Sequence, residues 1–171
     1  MTSQYYSNPS TWANIMATNL FKSLLHNVGV VIFSLALAYL GTFIDYVLGL
    51  PSLASTLTAA VGIVLLALGF LLRLWAVVHF YNHDMRVISL EPQGSLVTAG
   101  PYRYSRNPLY LGANVFCFFG AALLFGSPTA LILTVVHLPF VNLMIRREER
   151  QLEQKFGDRF LAYKKQVRRW L

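Results

Sequence analysis

The residues with the most potential for chemistry lie in one stretch, residues 100–112, which reads GPYRYSRNPLYLG. Within it, Asn107 followed by Pro108 predicts the start of a helix, because Asn accepts hydrogen bonds from the first free amides and Pro has no amide to leave unpaired. The free amides and the positive end of the helix dipole attract an anionic group such as a carboxylate. Composition alone favours a simpler explanation, an ordinary anchor at a membrane boundary, where Tyr and Arg are common.

A second cluster is the sequence RREE at residues 146–149. If the preceding helix continues, Glu148 shares a face with four apolar residues, Val141, Met144, Ile145 and Leu152. A carboxylate so close to hydrocarbon is costly and usually has a partner, here predicted to be Arg106 or a cationic ligand. The alternative is that both glutamates pair locally with Arg147 or Arg150 on a solvated face.

His79 and His83 are four residues apart, and Asp84 is adjacent. The two imidazoles would need a third or fourth ligand to hold a metal, and besides Asp84 none is at hand, because the other two histidines lie near or inside different apolar segments. We therefore expect an interfacial cap or part of a polar cavity wall, and no metal site. Neither a phosphate-binding loop nor an alternation of strands and helices is present, which excludes a soluble nucleotide-binding fold.

The chain that positions these residues has 171 residues, of which 56% are hydrophobic and 12% charged. A soluble domain carries roughly 25% charged residues, so part of this surface must face lipid. The length fits a single membrane domain, residues 1–171. A net charge of +7 favours an anionic membrane surface or anionic substrates, and no nucleic-acid-binding motif accompanies it.

Three stretches of 22, 27 and 39 residues lack Asp, Glu, Lys and Arg. A helix rises about 1.5 Å per residue and the hydrocarbon core is about 30 Å thick, so each of the first two fits one crossing. The third is long enough for two and is interrupted by the turn signal Gly-Ser-Pro at residues 126–128. The sequence therefore predicts four transmembrane helices, over residues 28–48, 53–76, 109–125 and 129–145.

The positive residues predict the topology. With four crossings, both termini and the loop 77–108 share one side of the membrane, while the turns near residues 50 and 127 share the other. All fourteen Lys and Arg lie on or border the first side. The positive-inside rule then makes both termini, the loop and the active site cytoplasmic in a multi-pass integral membrane protein.

The two flanking segments have their own patterns. In residues 1–27, apolar residues at helical spacing predict a short helix at the membrane surface. In residues 146–171, basic residues surround an apolar stripe formed by Leu152, Phe156, Phe160, Tyr163, Val167 and Trp170, as expected for an amphipathic helical tail on anionic lipid. The predicted fold class is all-α integral membrane, with four transmembrane helices, an N-terminal interfacial helix and a C-terminal amphipathic helical tail.

The second half of the chain carries an ordered set of motifs: residues 96–102 (LVTAGPY), residues 106–112 (RNPLYLG), Glu148-Glu149, Leu152, Phe156-Gly157 and Tyr163. Together these motifs resemble the isoprenylcysteine carboxyl methyltransferase family and its phospholipid methyltransferase relatives. The resemblance covers residues 77–169. It implies an integral membrane enzyme that uses S-adenosylmethionine, with this cofactor enclosed between the loop, the last two crossings and the tail.

Position by position, the resemblance implies ten cofactor contacts: Ser95, Leu96, Val97, Tyr102, Arg106, Asn107, Pro108, Leu109, Tyr110 and Glu148. On this hypothesis the two tyrosines shape the cofactor cavity and the amides after Asn107 hold the cofactor carboxylate. Glu148 accepts from its ammonium or ribose, and the adenine rests on Leu96 and Val97. No catalytic residue is assigned.

The sequence departs from the family pattern at three positions. Gly94 replaces a histidine, and Asn107 replaces the histidine of Arg-His-Pro; Asn keeps a hydrogen-bonding side chain but cannot titrate. An arginine that the eukaryotic prenylcysteine enzymes use for substrate falls at Met144. The resemblance therefore supports cofactor binding better than prenylcysteine specificity, and it leaves the acceptor open.

The expected function is methyl transfer to a lipid-like or isoprenoid acceptor that arrives sideways from the inner leaflet. A carboxylate acceptor is already ionised at neutral pH, whereas a lipid amine must lose a proton. The lack of an evident acid/base pair favours O-methylation of a carboxylate. The alternatives are a phospholipid or lipid-amine N-methyltransferase, an NADPH-binding protein like the sterol reductases, and a non-catalytic membrane protein.

Overall fold

The computed structural model describes residues 9–81 and 95–171, and within these ranges the chain forms helices and turns without a β-strand. The helices are α1 (Pro9–Leu48), α2 (Thr56–Tyr81), α3 (Pro108–Phe125), α4 (Pro128–Phe156) and α5 (Asp158–Gln166). Four segments are long and apolar enough to cross a membrane: Leu20–Leu48, Thr56–Phe80, Pro108–Phe125 and Pro128–Phe156. The predicted all-α architecture with four spanning helices is confirmed.

Three helices extend beyond the predicted crossings: α2 continues to Tyr81, and α1 and α4 are longer by more. Helix α1 runs unbroken from Pro9, because no Gly or Pro lies between residues 10 and 28, so the segment before the crossing is the first part of α1 rather than a separate helix. Helix α4 likewise continues past residue 145 to Phe156 and ends at Gly157, whose φ of +51° suits glycine. The tail therefore consists of the end of α4 followed by the short helix α5.

Helices α2 and α3 approach each other through glycines. A Cβ added at Gly62 would lie 2.6 Å from the carbonyl oxygen of Gly120, and one at Gly69 would lie 2.7 Å from that of Gly112. Small residues allow such close backbone contact where lipid tails compete with any apolar side chain. The large exposed apolar side chains, such as Phe43 and Leu57, cover the outside of the bundle, as expected for a surface in contact with lipid.

The turn between α3 and α4 is fixed by a buried carboxylate of α1. Asp45 accepts hydrogen bonds from the Ser127 hydroxyl at 2.5 Å and from the Thr129 amide at 3.0 Å. The Ser127 hydroxyl oxygen accepts in turn from the Ala130 amide at 3.1 Å. Because Pro128 has no amide, these bonds satisfy the first donors of α4 and tie α1 to the turn.

Replacing Asp45 with Ala is expected to destabilise the bundle by about 1–2 kcal/mol, the usual cost of a lost helix cap. The measurement is the thermal unfolding midpoint of the detergent-solubilised protein. The matched control is Thr42→Ala, on the same helix, whose hydroxyl bonds only to the Tyr39 carbonyl of its own helix. Equal midpoints for the two variants would contradict the capping role.

Candidate functional site

A cavity lies where the loop after residue 94, the start of α3, the end of α4 and the tail meet. Fifteen residues line it: Phe80, Ser95, Leu96, Val97, Tyr102, Arg106, Asn107, Pro108, Leu109, Tyr110, Glu148, Glu149, Leu152, Phe160 and Tyr163. All ten residues predicted from the sequence are among them. The structure thus brings together side chains up to 53 positions apart in sequence, counting from Ser95 to Glu148.

Five of the cavity residues were not among the ten predicted from the sequence. Phe160 and Tyr163 belong to the apolar stripe of the tail, which was expected to face anionic lipid, but both side chains are buried in the protein. Glu149 and Leu152 lie within the motif set quoted above. Phe80 gave no signal in the sequence beyond its position near the end of a crossing.

The loop is placed by a short 3-10 turn, Gly100–Arg103, that packs against the end of α2. Gly100 has a φ of +59°, and a Cβ at this position would collide with the imidazole of His79. His79 therefore contacts the loop but is not among the residues that line the cavity, and the predicted cluster partners His83 and Asp84 lie outside the described residues. In the described ranges no three His, Cys, Asp or Glu side chains gather as metal ligands.

Tyr102 provides an unpaired polar group in the cavity wall. Its ring packs against Phe80 at a centroid distance of 5.4 Å, and only 6% of the residue is exposed. Its buried hydroxyl has no hydrogen-bond partner among the described residues. Burial raises the pKa of Tyr102 well above its usual value, so the phenol stays neutral and able to donate. Leaving such a group unsatisfied costs about 1–3 kcal/mol, which a polar ligand atom would recover.

Glu148 presents a carboxylate to the same cavity. The Tyr110 hydroxyl donates to its Oε1 at 2.5 Å. No Lys or Arg of the described chain lies within ion-pair distance of it. The prediction that Arg106 is its partner is wrong, and the carboxylate has remaining lone pairs for a cationic or hydroxyl-bearing ligand.

The neighbouring glutamate, Glu149, is the one that forms the ion pairs. Its Oε1 lies 2.9 Å from Nη2 of Arg106, and its Oε2 lies 2.6 Å from Nη2 of Arg169. Glu149 is buried because it follows Val141 and Ile145 at intervals of four residues, and all three lie on the buried face of α4. The alternative of local pairing is also wrong, since neither Arg147 nor Arg150 forms an ion pair with these glutamates in the part of the chain described.

Arg106 connects the loop to the tail. Its Nε donates to Glu149, its Nη1 donates to the Lys164 and Val167 carbonyls, and its amide donates to the Arg168 carbonyl at 2.9 Å. Arg106 therefore lines the cavity as predicted, but its guanidinium donors are directed at the protein. A clamp on the tail explains its position better than a direct ligand contact.

Asn107 occupies the predicted N-cap position, but its side chain makes no capping bond. Its Nδ2 instead donates to the Arg169 carbonyl at 3.1 Å, which the Ser105 hydroxyl also contacts at 3.2 Å. The capping prediction is wrong because the Arg169 carbonyl of the returning tail accepts from Asn107 Nδ2 and holds the side chain in another orientation. The first helical bond runs from the Leu111 amide to the Asn107 carbonyl, so the amides of residues 109 and 110 precede it.

Tyr163 completes the contact between tail and loop. Its hydroxyl donates to the Tyr102 carbonyl at 2.7 Å, and burial raises its pKa, so it remains a donor at neutral pH. Hydrogen bonding to Glu149 raises the pKa of Arg169, which keeps its charge. Tyr163 and Arg169 therefore both hold the tail over the cavity.

Tyr110 separates this cavity from a second one inside the bundle. The second cavity has a volume of about 540 Å³ and lies between α1, α3 and α4. Its walls are mostly apolar, and Met144 is among them. The polar side chains Asn114 and His137 in its wall bond to each other at 2.8 Å.

The family model described as phospholipid methyltransferase matches residues 57–159, more than half of the chain. The chain therefore belongs to this family of membrane methyltransferases, and the membership predicted from the motifs is confirmed. The matched region contains thirteen of the fifteen cavity residues, and the other two, Phe160 and Tyr163, belong to the tail beyond it.

Individual relatives agree with the family. The chain is 30% identical over 115 residues to a protein-S-isoprenylcysteine O-methyltransferase of Xenopus laevis and 32% identical over 120 residues to that of Saccharomyces cerevisiae. These alignments cover 66% and 68% of this chain but only 40% and 49% of the relatives. An uncharacterized protein of Haemophilus influenzae is 43% identical over 47 residues, 27% of this chain and 75% of that protein. No solved structure gives a significant match.

Replacing Glu149 with Gln is expected to release the tail, because removing one partner of a buried ion pair costs about 3–5 kcal/mol. The measurement is the rate of trypsin cleavage at Lys164 and Lys165, which should rise well before the rest of the protein is cut. The matched control is Glu153→Gln, whose pair with Lys164 is solvent-exposed and contributes about 0–1 kcal/mol. Equal cleavage rates in the two variants would refute the clamp.

Proposed function

We propose that the protein transfers a methyl group from S-adenosylmethionine to a lipid-like or isoprenoid acceptor at the cytoplasmic face of a membrane. The observation that carries the proposal is the meeting, in one cavity, of the unpaired Tyr102 hydroxyl, the Glu148 carboxylate and an apolar wall. Family membership supports the reaction type. The distribution of positive residues supports the cytoplasmic placement of the site and both termini.

The residues present fit a nucleoside that carries both an ammonium and a carboxylate. Glu148 accepts from the ammonium or from ribose hydroxyls, and Tyr102 donates into the same cavity. Leu96 and Val97 provide an apolar surface for the adenine, and the amides at the start of α3 face an anionic group. The tail, closed by Glu149, excludes water from the site.

When bound, this cofactor supplies an activated methyl on a sulfonium, so the protein has mainly to align an acceptor and keep water out. The apolar cavity beyond Tyr110 supports an acceptor with a hydrocarbon chain, because it lies inside the bundle and adjoins the first cavity. An acceptor carboxylate is ionised at neutral pH and needs no general base. We therefore favour methyl-ester formation over N-methylation.

Binding of S-adenosylhomocysteine by the purified protein, measured by titration calorimetry, tests the cofactor. Glu148→Ala should weaken binding at least roughly tenfold, or about 1.4 kcal/mol, through loss of a charged hydrogen bond. Tyr102→Phe should weaken it about threefold to tenfold for a neutral one. The control is Tyr104→Phe, since Tyr104 is 66% exposed and does not line the cavity. Binding of NADPH without S-adenosylhomocysteine would contradict the proposal and favour a reductase.

The acceptor is tested with methyl-labelled S-adenosylmethionine and a lipid extract of the native host. We expect the labelled product to partition into organic solvent and to lose its label in mild base, because base cleaves a methyl ester. An N-methyl group survives the same treatment. A base-stable product would identify a lipid-amine methyltransferase instead.

A further inference from the structure

A buried arginine lies outside the site described so far. Arg73 is in the spanning part of α2 and is 5% exposed. No carboxylate of the described chain lies within ion-pair distance of it. A charged side chain at membrane depth is costly and tends to mark function.

Three groups from two other helices bind the guanidinium. Its Nε donates to Oδ1 of Asn27 at 3.1 Å, and its Nη2 lies 2.9 Å from Nε2 of His26. Its Nη1 donates to the Leu109 carbonyl oxygen at 2.7 Å. Arg73 therefore links α1 to the first turn of α3.

That first turn is part of the cavity wall. Leu109 lines the cavity between Pro108 and Tyr110. The turn is followed directly by a π-helical stretch, Leu111–Cys117, in which the wider hydrogen-bond register makes the helix less regular. A strong charge-assisted bond to the Leu109 carbonyl fixes the backbone at this junction.

Gly112 makes room for the arginine. A Cβ at Gly112 would lie 2.5 Å from Cγ of Arg73. The glycine that ends the sequence LYLG thus leaves the space that the Arg73 side chain occupies beside α3. The close contact between Arg73 and α3 therefore requires a glycine at residue 112, although the two residues are distant in sequence.

On the α1 side, the residues that bind Arg73 are also held in place. Asn27 is completely buried, and its Nδ2 donates to the Ser23 carbonyl at 2.7 Å. This bond orients the amide so that its oxygen faces Arg73. Both Asn27 and His26 belong to α1, which lies outside the residues matched by the family model.

We propose that α1 supports the cofactor site without lining it: Asn27 and His26 hold Arg73, and Arg73 positions the Leu109 carbonyl and with it the cavity wall. Arg73 is thus a positioning residue that acts on the ligand through the backbone. The identity of the ligand rests on the proposed function, whereas the link itself does not.

The link is tested without ligand by hydrogen–deuterium exchange of the purified protein. Asn27→Ala should speed exchange in peptides covering residues 108–112, and Thr42→Ala, on the same helix, should not. Unchanged exchange at residues 108–112 in Asn27→Ala would overturn the link.

A double-mutant cycle with Asn27→Ala and Arg73→Gln then tests its effect on S-adenosylhomocysteine affinity. Each single change should weaken binding roughly threefold to thirtyfold, and the double variant should bind no worse than Arg73→Gln alone. Arg73→Lys replaces Arg73→Gln if the latter does not fold. Additive losses would overturn the proposal, as would lowered melting temperatures with unchanged affinity. Failure of the wild-type protein to bind S-adenosylhomocysteine would refute the proposed cofactor, while the exchange result still decides the link.

Discussion

The arrangement of the site depends on one buried carboxylate. Glu149 receives Arg106 from the loop and Arg169 from the tail, so three parts of the chain meet on two oxygen atoms. Burying a charge costs free energy that only well-placed partners offset, which makes the closed arrangement specific as well as stable. Without Glu149, two arginines would lose their shared partner, and the tail would be held only by its remaining contacts with the loop, such as the bond from the Tyr163 hydroxyl to the Tyr102 carbonyl.

The bilayer imposes the second constraint. Inside the bundle, helices α2 and α3 approach through glycines, and polar side chains bond to one another or to backbone carbonyls. At the end of the bundle, the loop and the tail build a cavity in which the Glu148 carboxylate and the Tyr102 side chain lie beside apolar residues. Tyr110 lies between these environments and lines both cavities. A reaction between a polar nucleoside and an apolar acceptor needs such a boundary.

Much of the fold and of the candidate site could be predicted from the sequence. Charge-free stretches set the number of crossings, because burying a charge in lipid is costly, and the motifs around residues 95–110 lie close in sequence, so they also lie close in space. It was harder to predict which face of a helix is buried and which side chains bind one another. Helical periodicity placed Glu148 on the face of Val141 and Ile145, but this prediction is wrong because the structure buries Glu149 on that face, and adjacent residues differ by about 100°. The failed cap at Asn107 and the role of Arg73 both depend on contacts between distant segments, for which the local sequence carries no signal.

The central claim is that the cofactor lies between the loop and the tail. Ultraviolet crosslinking of methyl-labelled S-adenosylmethionine to the purified protein, followed by peptide mapping, tests it most directly. We expect label in peptides from residues 95–110 and 146–163, and we expect this label to disappear when excess S-adenosylhomocysteine competes. Label confined to α1 or to the turn near residue 126, or label that excess S-adenosylhomocysteine does not displace, would contradict it.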